Sequence, residues 1–230
     1  MTAETTEMRG WAQDAGPRET AYEFVYRVLR HALLDGRLEG GTRLLQTEIA
    51  KQLGVSTTPV REALHKLVSE GLVNLEAGRG AVVHSLSMDE WNEIVTLKAL
   101  LEPPCLELAA QRIGERPLAE LERLYRLMSE EADTSAWVDL NRQFHRVYYE
   151  AAESPRLRAI LEALQDAEAT YVAKGIREHP EVAVQGQKDH AELIEGLRAR
   201  DAASLSRVIA RHVGTTRAPF ARERAARGGR

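Results

Sequence analysis

Two short helical patterns follow one another between Thr47 and Val68 with only a glycine turn separating them, and no other stretch limits the fold of this chain as tightly. The first pattern, Thr47 to Leu53, ends at Gly54-Val55-Ser56. The second begins at once, with Thr58 as the expected N-cap and Pro59 at the first helical position. Two short helices around a tight glycine-containing turn make a helix-turn-helix. Upstream, Tyr22, Val25, Tyr26, Leu29 and Leu33 recur at helical spacing within 19–34, and Gly36 stops them, which supplies a supporting helix. After Gly71, LVNLEAGRGAVVHSL reads as strand, Gly-Arg-Gly turn and strand. The front of the chain is expected to be a winged helix-turn-helix.

In the second short helix Val60, Leu64, Leu67 and Val68 make an inward stripe, which leaves Ser56, Thr57, Thr58, Arg61 and His65 facing outward from the N-terminal end. An exposed helix start with small hydroxyls and an arginine suits DNA. Amides and hydroxyls grip phosphate, and a guanidinium can fork onto guanine O6 and N7. Arg79 at the hairpin tip has two readings: a contact with the duplex, brought close by flanking glycines, or a solvated turn residue.

The chain has 230 residues, 43% hydrophobic and 29% charged, which excludes a disordered or membrane-embedded protein and allows one large domain or two modest ones. Charge divides unevenly. Residues 17–86 hold nine Lys and Arg against eight acids, and residues 87–215 hold 16 against 23. DNA binding must therefore rest on a few placed cations rather than on a cationic coat. No apolar run can cross a bilayer and the first twenty residues lack the pattern of a signal peptide, so the expected location is the cytoplasm, with no membrane contact. Cys105, the only cysteine, reads as a small buried hydrophobe.

Glycines thin out after the first 80 residues, which proposes a boundary at 85–87. The expected layout is a disordered tail over 1–16, the winged domain over 17–86, a helical domain over 87–214 and a basic, flexible tail over 215–230. Starts at Ser87, Pro117, Thr134, Ser154-Pro155, Pro180 and Asp201 predict an all-α bundle of about six helices. Pro103-Pro104 should kink or split the first of them. The fold class is thus mainly α.

Asn141 and His145 lie four apart on one helix face, and His190 and His212 each sit on a later helix. Three imidazoles and a side-chain oxygen suffice to hold a divalent ion with open positions. Spacing alone does not bring distant helices together, and each histidine by itself reads more readily as a surface or hydrogen-bonded residue than as a ligand. Lys98 either serves a ligand or pairs at the surface with Glu102, four residues on. His31, His84, His179, Trp91, Trp137, Tyr148 and Tyr149 read as surface or core residues.

The run from Gly36 to Val83, GRLEGGTRLLQTEIAKQLGVSTTPVREALHKLVSEGLVNLEAGRGAVV, resembles the DNA-binding domain of the GntR transcription regulators. The resemblance implies that Arg61 contacts a base, and that Ser56, Thr57, Thr58, Arg79 and Gly80 belong to the recognition helix and wing. Thr57 and Thr47 stand where family members carry arginine, which implies fewer phosphate contacts and a shallower salt dependence. Residues 87–214, with LKALLE, NRQFH, DHAELI and RVIARH, resemble the FCD domain of the FadR subfamily. That resemblance implies a zinc, nickel or similar ion on Asn141, His145, His190 and His212. It also implies a small organic acid facing that ion, with Lys98, in place of the usual Arg, near its carboxylate.

The expected function is a homodimeric, effector-responsive transcriptional regulator, expected to repress, that binds a palindromic DNA site and is not an enzyme. Two alternatives stand beside it: a metal-dependent hydrolase built on the three histidines, and a regulator whose effector pocket holds no metal.

Overall fold

The computed structural model describes residues 19–85 and 87–227 and divides the chain into two compact units, Met1–Leu86 and Ser87–Arg230. The expected N-terminal tail over 1–16 lies outside the described residues.

In the first unit, α1 (Ala21–Leu34) opens on a capping box, in which the Thr20 side chain accepts from the Glu23 amide and Glu23 reaches back to the Thr20 amide. Its buried stripe, including Val25, Val28, Leu29 and Leu33, packs on α3 (Thr57–Ser69). Between them, α2 (Gln46–Leu53) ends at Gly54, whose φ of 70° is the left-handed cap that turns the chain into α3. A buried charge hub fixes the end of α3 against α1. Glu70 accepts from the Tyr26 hydroxyl at 2.6 Å and faces Arg30 at 3.4 Å and Lys66 at 3.3 Å.

The hairpin is β2 (Val73–Glu76) and β3 (Gly80–Val83), antiparallel, with Glu76 opposite Gly80. A third strand, β1 (Arg43–Leu44), joins on the far side of β3 to give the order β1-β3-β2. Two residues carry no periodicity, so this strand could not be read from sequence.

The α3 boundary corrects the expected one. Ser56, not Thr58, is the cap residue, and Pro59 sits at the third helical position. The reason is that every first-turn amide lacks an intrahelical partner, so proline is tolerated anywhere in that turn.

The second unit contains α4 (Met88–Arg112), α5 (Glu115–Glu130), α6 (Thr134–Ala151), α7 (Pro155–Glu178), α8 (Glu181–Ala199) and α9 (Ala202–Arg227). Cap residues Ser87 and Asp133 accept from the amides of Glu90 and Ala136. α5 starts at Glu115, two residues before Pro117. α4 packs on α6, α7 and α9, and α8 lies along α9. Gly196 lets α8 and α9 approach, because a Cβ there would stand 2.8 Å from Leu205 Cδ2.

Of the expected kink or split at Pro103-Pro104, the split does not occur, since α4 runs through both prolines. The carbonyls deprived of donors belong to Ala99 and Leu100, both exposed residues, where solvent can replace the missing donors. Buried Lys98, Glu102, Cys105, Leu106 and Ala109 bracket the pair, so packing overrides the local cost. Helical backbone in α9 runs on to Arg227, past residue 214, where the flexible tail is expected to begin. Cys105 is buried and its thiol is pushed up to about 12 by burial and by Glu102.

Candidate DNA interface and candidate metal centre

At the start of α3, Ser56, Thr57, Thr58, Arg61 and His65 are all exposed, while Val60, Ala63, Leu64 and Leu67 are buried. Ser56 makes no side-chain capping bond, so its hydroxyl is not spent on the helix. Thr47 is exposed in the first turn of α2. The structure thus gives α3 one face for the core and an open leading end with a single guanidinium, a shape that enters a major groove. At the hairpin tip Arg79 and Gly80 are exposed, and Gly78 and Gly80 have φ of 76° and 78°. The Arg79 guanidinium lies 2.9 Å from Glu76 Oε2, an exposed pair worth little in water and readily exchanged for phosphate.

In the second unit the four expected ligands, carried by α6, α8 and α9, are all buried: Asn141, His145, His190 and His212. Ring centroids of His145, His190 and His212 stand 5.6, 5.3 and 4.9 Å apart in pairs, and one nitrogen from each lies within 4.8 Å of the others. Among the described residues, His145 Nε2, His190 Nε2, His212 Nδ1 and Asn141 Oδ1 are buried without a hydrogen-bond partner, and Asn141 shares a cavity wall with His212. Leaving such atoms buried and unserved costs about 1–3 kcal/mol each, a cost that a cation held by the three rings would offset. The donor set of imidazoles with one neutral oxygen suits zinc or nickel. Burial, helped by the charges of Lys98 and the neighbouring histidines, holds His145 well below its ordinary pKa. Burial, with His212, does the same for His190. Neutral imidazoles are the form that binds metal.

One other nitrogen is anchored outside the cluster. His190 Nδ1 lies 3.1 Å from Gln187 Oε1, and the Gln187 amide donates to Tyr125 O and Ser129 Oγ. His212 Nδ1 faces Asp189 Oδ2 at 3.4 Å without a hydrogen bond. Burial works to raise the Asp189 pKa, but the nearby His212 and the bonds from Gln185 and Arg211 outweigh it and hold the carboxyl below its usual range. Gln187 and Asp189 precede His190 by three and one residues, yet nothing in their spacing marks them as its supports. Glu102, Glu168 and Tyr148 were equally illegible as site residues, because they reach the cluster from three different helices.

Lys98 is where sequence and structure diverge most. Its pair with Glu102 exists, at 3.3 Å, but in the interior rather than at the surface, and Glu168 makes a second, shorter contact. Burial works against the Lys98 charge, but Glu168 and Glu102 prevail and hold its pKa above the ordinary value. Burial pushes the Glu168 carboxyl up, with Lys98 offsetting part of it. Tyr148 and Tyr149, expected to be plain surface or core residues, both donate to Glu102, at 2.6 and 2.8 Å. A cavity lined by Lys98, Trp137, Asn141, Glu168, Gly186 and His212 holds about 20 Å3, roughly one water.

A three-helix front unit with an exposed recognition helix and a small winged sheet, followed in the chain by a helical unit with a buried histidine cluster, defines a winged helix-turn-helix protein with a helical second domain. Its family follows from comparison. Residues 21–83 match the bacterial regulatory proteins of the gntR family, and residues 93–215 match the FCD domain. The chain belongs to the GntR family, in the branch that carries an FCD domain. It is 32% identical over 139 residues to the HTH-type transcriptional regulator McbR of Escherichia coli, covering 59% of this chain and 63% of that protein. It is 24% identical over 202 residues to the E. coli HTH-type transcriptional repressor RspR, covering 86% and 87%. The chain spans just under two thirds of the length of McbR and of the Bacillus subtilis regulator YdhC. In fold it is similar to the solved structure of E. coli McbR/YncC, with a TM-score of 0.70 at 24% identity over 90% of this chain and 99% of that one. A GntR regulator from Rhodococcus, at 20% identity over 86% and 96%, gives 0.65. These relatives and families are transcriptional regulators, not enzymes. Among the described residues no helix is long and apolar enough to cross a membrane.

Proposed function

We propose that this chain is a DNA-binding transcriptional regulator, acting as a homodimer on a palindromic site, whose helical unit binds a divalent ion and a small carboxylate effector. The observation that carries the reading is the joint presence of an exposed helix start at Ser56–Arg61 and a buried cluster of three histidines whose His145 Nε2 and His190 Nε2, like the nearby Asn141 Oδ1, have no hydrogen-bond partner. The first supplies phosphate and base contacts; Arg79 adds a second, movable cation. The ion, when bound, supplies a Lewis-acidic centre that a carboxylate can face. A metabolite needs several hundred Å3, far more than the cavity of about 20 Å3 beside the cluster, so an effector must open the bundle to enter. That requirement is what would link effector binding to the shape of the domain, and hence to operator affinity. Lys98 takes part through its link to the cavity wall at Glu168.

A hydrolase reading finds no support in the carboxylates around the cluster. Glu102 is taken by two tyrosines and Lys98, Asp189 by Gln185 and Arg211, and Glu168 by Lys98, which leaves none of the three free as a general base. The test is a mobility shift on the chain's own upstream DNA, joined to elemental analysis of protein purified without a chelating column. A specific shift with near-stoichiometric zinc or nickel supports the reading. Absence of a shift refutes the DNA part, and less than about a tenth of an ion per chain refutes the metal part.

A further inference from the structure

Three imidazole nitrogens can hold one ion only if each presents a lone pair, so each ring must carry its proton on the other nitrogen. For His190 the partner settles this, because its Nδ1 faces the amide oxygen of Gln187, which accepts; His212 Nδ1 has no hydrogen bond, and the nearest carboxylate oxygen, Asp189 Oδ2 at 3.4 Å, favours a proton on that nitrogen. His145 is different, because its Nδ1 lies 2.6 Å from the Tyr148 hydroxyl, which can donate or accept. Were the hydroxyl to donate, the His145 proton would move to Nε2 and point into the cluster, where it would obstruct an ion.

Glu102 decides the direction. Its Oε2 lies 2.6 Å from the Tyr148 hydroxyl, and its Oε1 receives the Tyr149 hydroxyl at 2.8 Å and faces the Lys98 ammonium at 3.3 Å. A carboxylate loaded by an ammonium is an acceptor, so the single Tyr148 proton goes to Glu102. The Tyr148 oxygen then accepts from His145 Nδ1–H, leaving the Nε2 lone pair bare. We propose that Tyr148, aligned by Glu102, is a positioning residue that sets the tautomer of His145 and so aims its Nε2 at the ion. The purpose of the arrangement rests on the metal-centre reading above, but the tautomer itself does not. The same geometry gives Lys98 a structural part, which is to keep Glu102 an acceptor.

Tyr148→Phe keeps the buried ring against Phe144 and removes only the hydroxyl. Tyr149→Phe strips the other phenol from Glu102 without touching His145, and serves as control. In metal-free full-length protein, long-range nitrogen–proton NMR correlations read the tautomer, and competition with a chromophoric chelator reads zinc affinity. Wild type and Tyr149→Phe should show His145 as the Nδ1–H form. Tyr148→Phe should lose it and bind zinc about 10–100-fold more weakly, with Tyr149→Phe close to wild type. A wild-type His145 protonated on Nε2 overturns the proposal and needs no variant to fold. So do unchanged zinc affinity in Tyr148→Phe, or equal losses in both variants, which would trace the effect to the solvation of Glu102. If wild type takes up no zinc, the metal-centre reading falls, and the wild-type spectrum still decides the tautomer.

Discussion

Acidification of the metal-free protein should unfold the helical unit through its buried histidines, and the size of the effect follows from their burial. His145 and His190 are 1% and 0% exposed and are held well below 6.5, so both stay neutral in the folded protein where the unfolded chain takes up protons. A base whose folded pKa is depressed contributes fully above the unfolded value and loses that contribution as the pH falls below it. Between about pH 7.5 and 5.5 each histidine costs about 1.4 kcal/mol, and the two together about 2.7 kcal/mol. Glu168 works in the opposite direction, because burial raises its carboxyl and the fold gains a proton there. The total is therefore an upper bound, and the contribution of one histidine is isolated by His190→Gln. Urea unfolding of chelator-treated protein at the two pH values, followed by the fluorescence of buried Trp91 and Trp137, should show the pH-dependent loss shrink by about 1.4 kcal/mol in the variant. Equal losses in wild type and His190→Gln would refute the idea that the cluster is kept neutral by its surroundings.

Arg61→Ala should cost about 1–3 kcal/mol of specific DNA binding, read by fluorescence anisotropy, with unchanged unfolding of the protein, because Arg61 is exposed and not among the buried residues of α3. Asn141→Asp replaces a buried, unpartnered neutral oxygen on the cavity wall beside His212 by a charged one and should tighten zinc binding roughly tenfold, measured by chelator competition. Gly196→Ala should destabilise the helical unit by about 1–2 kcal/mol in urea, since the new methyl meets Leu205 at 2.8 Å and the gain in helix propensity offsets only part of that strain.

Much of the front unit was legible because its signals are local. Gly54 needed a left-handed turn, Val60, Leu64 and Leu67 needed a core, and Gly78 and Gly80 framed a tip, so the outward set from Ser56 to His65 followed from helical spacing alone. The cap of α3 was misplaced by two residues because proline satisfies the same condition anywhere in a first turn. In the helical unit the starts were readable from Ser87, Thr134 and Ser154-Pro155, with the cap before α6 one residue earlier, at Asp133, and the ligand positions from the motifs they resemble. The supports were not: Tyr148 read as a plain surface or core residue, and its meaning comes from Glu102, which lies on α4.

Local pattern was enough to establish which residues form helices, where most of them begin, and which side of α3 is left to solvent, because each of these depends on neighbours within a turn or two along the chain. It took the packed bundle to bring His145, His190 and His212 together, to hold Lys98 inside between two carboxylates, and to carry α4 through two prolines. Those outcomes depend on contacts between segments 70 residues apart, as for Lys98 and Glu168, or more, as for α4 and α9, whose energies are set by packing and desolvation rather than by local spacing.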